Sequence, residues 1–401
     1  MALNSIVQKV KSKIPQFLFE EKTYFWIFVV VSILIGFQKV IQGPKFYNNY
    51  LIFKTAFSHL ICEQNLYIYY WNEYGDLYLY SPTFAVLMAP LTYLPIVAQV
   101  FLWCGLSAGL LFLAIRSLPI LEEKKRVFIY AFILIEYITS LQSMQVTAIM
   151  LACMLFSFTA FEKGKMSRAA FCIMLATFIK IYAIVAAIMF LMYPQKIKFL
   201  GYFVFWFIIF LFLPLLFISL DQFIWQYQNW YNVMTGIHRS EETGIHPNVD
   251  MPLSVMGWLK AWFHYNPPSI YIQLLGTALL CTPLVRFKSF INLNFRLYIL
   301  SSILIWSMIF NHIAESPSYI VAVLGVAIWY TIKGNNAASN FLIITVFILT
   351  ILSPTSLFPR FIRDSYILPY ALKAVPCIAV WVVLQYTLLS KRFTTTLSGN
   401  L

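Results

Sequence analysis

The sequence predicts an all-α, polytopic transmembrane helical bundle with two long extracytoplasmic loops, and three observations predict it. Hydrophobic residues make up 61% of the 401 positions and charged residues only 11%, against about 25% charged in an ordinary soluble domain. Apolar runs of about 20 residues, the length that crosses a ~30 Å hydrocarbon core, recur along the whole chain. The basic residues behind the net charge of +13 sit in short clusters between those runs. That is the pattern of positive-inside topology, not of one patch that would hold nucleic acid, so no nucleic-acid partner is expected.

Taken in order, residues 1–23 form a basic, amphipathic cytoplasmic N-terminus. They lack a short apolar region followed by a small-residue cleavage site, so no removable signal peptide is expected. One transmembrane domain covers 24–390, with spans at 24–41, 97–115, 127–141, 146–161, 199–219, 270–285, 293–310, 317–332, 339–356 and 369–390. A cytoplasmic tail, 391–401, follows. The run 169–193 behaves differently. Its left flank (Lys163, Lys165, Arg168) and its right flank (Lys196, Lys198) are both basic, and a single crossing cannot have both ends inside. The run is therefore expected to enter and return as two short helices turning near Lys180. A cation at the bilayer centre costs about 2.5–3.5 kcal/mol on insertion scales, and a water-filled apex removes most of that cost. The stretch 82–95, broken by Pro82, Pro90 and Pro95, reads as re-entrant or interfacial. With such short pieces the total comes to about 11–13 membrane helices.

Charge tests this threading. It places Lys9, Lys11, Lys13, Lys22, Arg116, Lys124, Lys125, Arg126, Lys163, Lys165, Arg168, Lys196, Lys198, Arg286, Lys288, Arg296, Lys333, Lys391 and Arg392 on the cytoplasmic side, most of the 28 basic residues. Both termini then lie inside. All five histidines (His59, His238, His246, His264, His312) fall outside, and of the acids only Glu20, Glu21, Glu122, Glu123 and Glu162 fall inside. Acids and histidines carry general acid–base work, so chemistry is expected on the extracytoplasmic face. The bland alternative is that membrane insertion draws basic residues inward and leaves acids anywhere. The outer loops, about 43–81 and 220–269, are rich in aromatic residues that suit sugar rings or a membrane interface equally. The six cysteines form no CxxC pair, which leaves neither a disulfide framework nor a zinc site, and no metal is expected. GxGxxG, Walker A, HExxH and DxD motifs are absent, so nothing implies a nucleotide-binding domain.

Four stretches, in order, carry a resemblance to a known family. The first is NNYLIFKTAFSHLICEQNLYIYYWNEYGDLYLYSPTFAVLMAPLTYLP. It opens an amphipathic helix with a polar pair, then runs through an NLY turn and an aromatic–Ser–Pro step into a Pro-bounded apolar segment. LQSMQVTAIMLACMLF, MSRAAFCIMLATFIKIYAIVAAIMFLMYP and LSVMGWL follow. The set, over about 40–330, resembles glycosyltransferase family 87 of the GT-C superfamily, whose known examples include mannosyltransferases building phosphatidylinositol mannosides. The resemblance implies a GT-C-type bundle in a bacterial inner (plasma) membrane. It implies a hexosyltransferase, with mannose the sugar its known examples suggest, that takes its sugar from a polyprenyl phosphate and gives it to a lipid or glycan acceptor, with no cofactor beyond that donor. One departure is clear: the family's catalytic Asp at the start of the first-loop helix corresponds to Asn49, and an amide cannot act as a base.

Each candidate residue has a bland counterpart. Lys180, matching a family lysine, is expected to pair the donor phosphate, or else to snorkel. Glu136, inside a span, is a catalytic candidate or a structural partner for Lys180 or a backbone group. Asp76 is a candidate base or a helix cap. Asn49 and Asn48 are candidates for the reacting centre and the sugar, or caps. His312 would bind the phosphate and Glu315 sugar hydroxyls, unless both are loop-end polar residues. Gln145, His246 and Asp250 complete the sugar and acceptor candidates. The alternatives to a transferase are a flippase or transporter of lipid-linked sugar, and a non-catalytic relative that only binds one. Inverted repeats, common in transporters, are not evident, since the Lys-interrupted pair has no counterpart in the second half.

Overall fold

The computed structural model describes residues 15–119, 122–243, 252–265 and 267–393, without the side chains of 237–243. Among these the secondary structure is helical throughout, with no strand. In chain order, α1 (Glu21–Gln42) ends at Gly43 and is followed by the shorter helices α2 (Asn48–Ile61) and α3 (Pro82–Leu87). Then come α4 (Ile96–Ser117), α5 (Glu123–Gln142), α6 (Thr147–Glu162) and α7 (Met166–Ile179). A 3₁₀ leg, Ile181–Met192, leads to α8 (Lys196–Phe212), α9 (Leu220–Thr243) and α10 (Val255–Phe263). The last group is α11 (Ser269–Cys281), α12 (Leu293–Ile309), α13 (Ile320–Lys333), α14 (Ala337–Thr345, continued by wide turns to Leu352) and α15 (Val375–Ser390).

Four of these helices, or their continuations, are long and apolar enough to cross a membrane, and seven shorter apolar helices accompany them. The chain is a multi-pass helical membrane protein. Burial orders the bundle. α12 and α13 form its centre, where Ser301 Oγ donates to the Gly325 carbonyl at 2.6 Å. A Cβ at Gly325 would meet Ile305 Cγ1 and the Ser301 carbonyl, both at 2.9 Å, so glycine sets how closely the two helices pack. α8 lies at the periphery and leaves most of its apolar surface exposed, as a lipid-facing helix does.

The run 169–193 divides as expected. α7 stops at Ile179, Lys180 is extended (φ −138°, ψ 115°), and the 3₁₀ leg returns. Fourteen α-helical residues rise ~21 Å and twelve 3₁₀ residues ~24 Å, so the tighter helix lets a shorter leg match the depth of the longer one. Neither leg reaches the ~30 Å of a full crossing.

Three expectations gain detail. The stretch 82–95 is broken into two short helices, Pro82–Leu87 and Ala89–Thr92, and Pro82–Val86 are buried in protein, the setting in which a re-entrant segment is tolerated. Pro214 has no N–H, which leaves the Phe210 carbonyl without its helical partner; Thr83 Oγ1 donates to it at 2.6 Å. Second, the outer region 220–269 is largely helical. α9 ties it to the first outer loop, since Gln226 donates to the Gln64 carbonyl at 2.6 Å and accepts from the Leu66 amide at 3.3 Å. Third, the last helix begins at Val375 and not near 369. Pro376 sits in its first turn, where a missing N–H costs nothing, and the preceding residues form irregular turns with Ala371 at φ +48°.

The two ends of the bundle differ in chemistry. Where α1 and α5 begin, Arg126 pairs with Glu21, and Lys125 pairs with Glu122 at 2.8 Å. At the same end, Arg296 pairs with Glu162 at 2.6 Å. Three of the five acids assigned to the cytoplasmic side are therefore engaged in ion pairs. The other end carries α2, α3 and a cavity.

Candidate functional site

The site is built around the tip of the re-entrant pair. α7 ends with carbonyls that no later turn satisfies. Ser81, the cap of α3, donates to one of them, the Phe178 carbonyl, at 2.5 Å, while its oxygen accepts from the Phe84 amide at 3.2 Å. This docks the first outer loop on the tip. Lys180 Nζ then reaches Thr147 Oγ1 at 3.2 Å, Gln145 Oε1 at 3.4 Å and Ser318 Oγ at 3.4 Å. An ammonium has three N–H groups, and three neutral oxygens receive them. The cation is solvated by dipoles without a carboxylate in direct contact.

Gln145 comes from the tight turn between α5 and α6, where Met144 adopts φ +50°. Two outside donors hold that turn. Asn49 Nδ2 donates to the Ser143 carbonyl at 2.8 Å, and Trp103 Nε1 to the Met144 carbonyl at 3.2 Å. Gln145 uses both ends of its amide. The oxygen faces Lys180, and Nε2 donates to Glu315 Oε2 at 3.2 Å. A Lys–Gln–Glu relay results, with the cation and the carboxylate held apart by one amide.

His312 and Glu315 lie on the segment between α12 and α13. Asn311 Oδ1 accepts from the Ile313 amide at 3.0 Å, a local turn that shapes the segment. Gln273 Nε2 of α11 lies 3.0 Å from His312 Nδ1, which leaves the ring proton of the neutral form on Nε2.

These groups line one cavity of about 440 Å³, a size that suits a small-molecule site. Its polar lining includes Asn49, Asp76, Ser81, Gln145, Lys180, Gln273, Asn311, His312, Glu315 and Ser318, and its apolar lining includes Phe53, Ile181, Ile184, Trp230, Trp306, Phe310 and Ile313. Asp76 is exposed, and its Oδ1 accepts from the Leu77 amide at 2.7 Å. Tyr80 also lines the cavity. Burial first, then Glu315, Tyr182 and Asp76, push its hydroxyl well above the ordinary phenol range, so it stays protonated and can donate. Among the described residues no group of three or more His, Cys, Asp or Glu side chains could hold a metal ion.

The cavity thus gathers Asn49, Asp76, Gln145, Lys180, His312 and Glu315 from separate stretches of the chain. Asn48 is not in its lining; its Nδ2 donates to the Tyr74 carbonyl at 3.0 Å, which ties α2 to the turn before Asp76. Glu136 is not in the lining either. It is fully buried and pairs with Lys373 at 2.9 Å, so its ion-pair partner is Lys373 and not Lys180. His246 and Asp250 lie outside the described residues. Thr147, Ser318, Tyr80, Gln273 and Lys373 are additions to the sequence reading. Only Lys373 had a signal that could have found it. An intramembrane acid calls for a partner, and Lys373 is the basic residue inside the last expected span.

The sequence model described as glycosyltransferase family 87 matches residues 78–354, which covers the tip of the re-entrant pair, the α5–α6 turn and the His312–Glu315 segment. No curated protein matches the chain.

Proposed function

The chain belongs to glycosyltransferase family 87, and from that premise we propose that it transfers a hexose from a polyprenyl phosphate to a lipid or glycan acceptor on the extracytoplasmic face. The observation that carries this reading is the convergence of Lys180, His312, Glu315, Gln145 and Asp76 on one cavity at the end of the bundle that bears α2 and α3. Lys180 and His312 hold the donor phosphate. The hydrogen-bond partners of the Lys180 side chain among the described residues are neutral oxygens, so a phosphate oxygen can replace them without breaking a direct ion pair. Ile181, Ile184 and Phe310 offer an apolar wall beside it for the start of the prenyl chain. Glu315 and Gln145 hold sugar hydroxyls, and Tyr80, which lines the same cavity, offers a phenol hydroxyl to the substrate.

Asp76 is the base. Its Oδ1 is engaged by the Leu77 amide, and it lines the cavity from the loop between α2 and α3. The acceptor oxygen attacks the anomeric carbon, Asp76 takes the hydroxyl proton, and the bond from that carbon to the phosphate oxygen breaks. The lipid phosphate leaves with its electron pair and stays on Lys180 and His312. Asn49 takes no part in proton transfer; it holds the turn that presents Gln145. The protein sits in a bacterial plasma membrane with both termini cytoplasmic, which puts this cavity outside, where nucleotide sugars do not reach.

The test is a transfer assay with purified protein in lipid nanodiscs. Radiolabelled hexoses are supplied on polyprenyl phosphate or on a nucleotide, with a membrane-lipid extract as acceptor. Label is expected to move from the lipid donor only, and Lys180→Ala is expected to abolish the movement. Transfer from the nucleotide donor would overturn the donor assignment. Binding of the lipid donor without any transfer would favour a non-catalytic relative.

A further inference from the structure

The Glu136–Lys373 pair lies outside the cavity, and the proposed reaction does not use it. Both side chains are almost wholly buried, in the part of a membrane protein where ions are least favourable. Lys373 Nζ lies 2.9 Å from Glu136 Oε1, 2.8 Å from Ser316 Oγ, 3.2 Å from the Ser316 carbonyl and 5.0 Å from the centre of the Tyr319 ring. Its three N–H groups are all directed to acceptors. Glu136 Oε2, by contrast, has no hydrogen-bond partner among the described residues. A buried pair with one carboxylate oxygen bare is a poor device for stability alone, since apolar residues of similar volume serve that end as well or better.

What the pair holds is the segment that carries Glu315. Ser316 follows Glu315 directly and stands two residues before Ser318. The far side of the segment is held by residue 253, whose amide donates to the Ala314 carbonyl at 3.0 Å and whose carbonyl accepts from the Tyr319 hydroxyl. The segment is thus gripped at 314, 316 and 319. Between those grips Glu315 accepts from Gln145, and Ser318 accepts from Lys180.

We propose that Lys373, oriented by Glu136, is a positioning residue of the transfer site: by fixing Ser316 it sets Glu315 and Ser318 against Gln145 and Lys180. The assignment rests on reading the cavity as the site for a prenyl phosphate. Glu136 orients the Lys373 side chain through their 2.9 Å contact, and Lys373 supplies the donors that shape the segment.

The experiment uses the full-length protein in detergent and mannosyl farnesyl phosphate, a short prenyl-phosphate sugar, as the probe. Two variants are compared with wild type by thermal unfolding and by probe titration. Glu136→Leu with Lys373→Met removes both buried charges together and is expected to keep or raise the unfolding temperature. Ser316→Ala removes the hydroxyl clamp and leaves the ion pair in place. Both are expected to weaken binding of this sugar-bearing probe, by about tenfold for Ser316→Ala, the scale of one lost hydrogen bond. Wild-type affinity in Ser316→Ala overturns the proposal, whether or not the double variant folds. Wild-type affinity in a folded double variant overturns it as well. Failure of the underlying reading looks different: wild-type protein would then not bind the probe in a Lys180-dependent way, and both inferences would fall together.

Discussion

Asn49 shows how far one atom can move a reading. The position invites a carboxylate, and a carboxylate there would be the base of the resembling family. In this chain Nδ2 of the side chain donates to the Ser143 carbonyl, a bond no ionised carboxylate can make. Asn49→Asp is therefore expected to lower transfer, not to raise it, because two oxygens would face each other and the turn carrying Gln145 would loosen. A fall of about tenfold is expected from the loss of one buried hydrogen bond, read in the transfer assay; a rise in rate would contradict the assignment. Gln145→Leu is expected to cost more, since it frees Lys180 and Glu315 to meet directly and fill the place of the donor. At this scale the sequence was partly legible. Lys180 stood out because a lone cation in an apolar run must have a reason. The roles of Asn49 and Glu136 were not legible, because both depend on a partner more than ninety residues away, and no local pattern encodes it.

The element that makes the site is the re-entrant pair, and its logic is electrostatic. Basic flanks on both sides forbid a crossing, and Lys180 marks where the chain can turn with least penalty. That much follows from hydropathy and charge alone. The geometry of the return leg does not, because helix type there is set by the depth the two legs must share and not by residue preference. Docking of α3 on the tip was equally hidden. It depends on carbonyls freed by the end of α7 and by Pro214, which Ser81 and Thr83 satisfy. Thr83→Val keeps the shape and removes the donor, leaving the Phe210 carbonyl bare. The variant is expected to lose about 1–3 kcal/mol of stability, the cost of an unsatisfied buried polar group, seen as a lower unfolding temperature in detergent. An unchanged temperature would mean that the contact contributes nothing to the docking.

At the scale of the whole molecule the two ends divide the labour. One end is sealed by ion pairs among Glu21, Arg126, Glu162 and Arg296, and the other opens into the cavity. The spans were readable because a bilayer imposes one length and one composition on every crossing. The helix inside the second long loop had no signal in the sequence, because α9 is too polar to resemble a span and its anchors, Gln226 and Tyr227, act at long range. Topology has a direct check in Cys62, the exposed free cysteine of the first outer loop. A membrane-impermeant maleimide is expected to label it in intact spheroplasts; labelling only after lysis would reverse the orientation. The central claim, that this cavity joins a lipid-phosphate sugar to an acceptor with Asp76 as base, is tested most directly by single-turnover transfer from a preloaded polyprenyl-phosphate sugar, Asp76→Asn against wild type. The account predicts that the variant still binds the donor while the rate of transfer falls by about 10²- to 10⁴-fold, the usual contribution of a general base. Transfer at the wild-type rate in Asp76→Asn would contradict it.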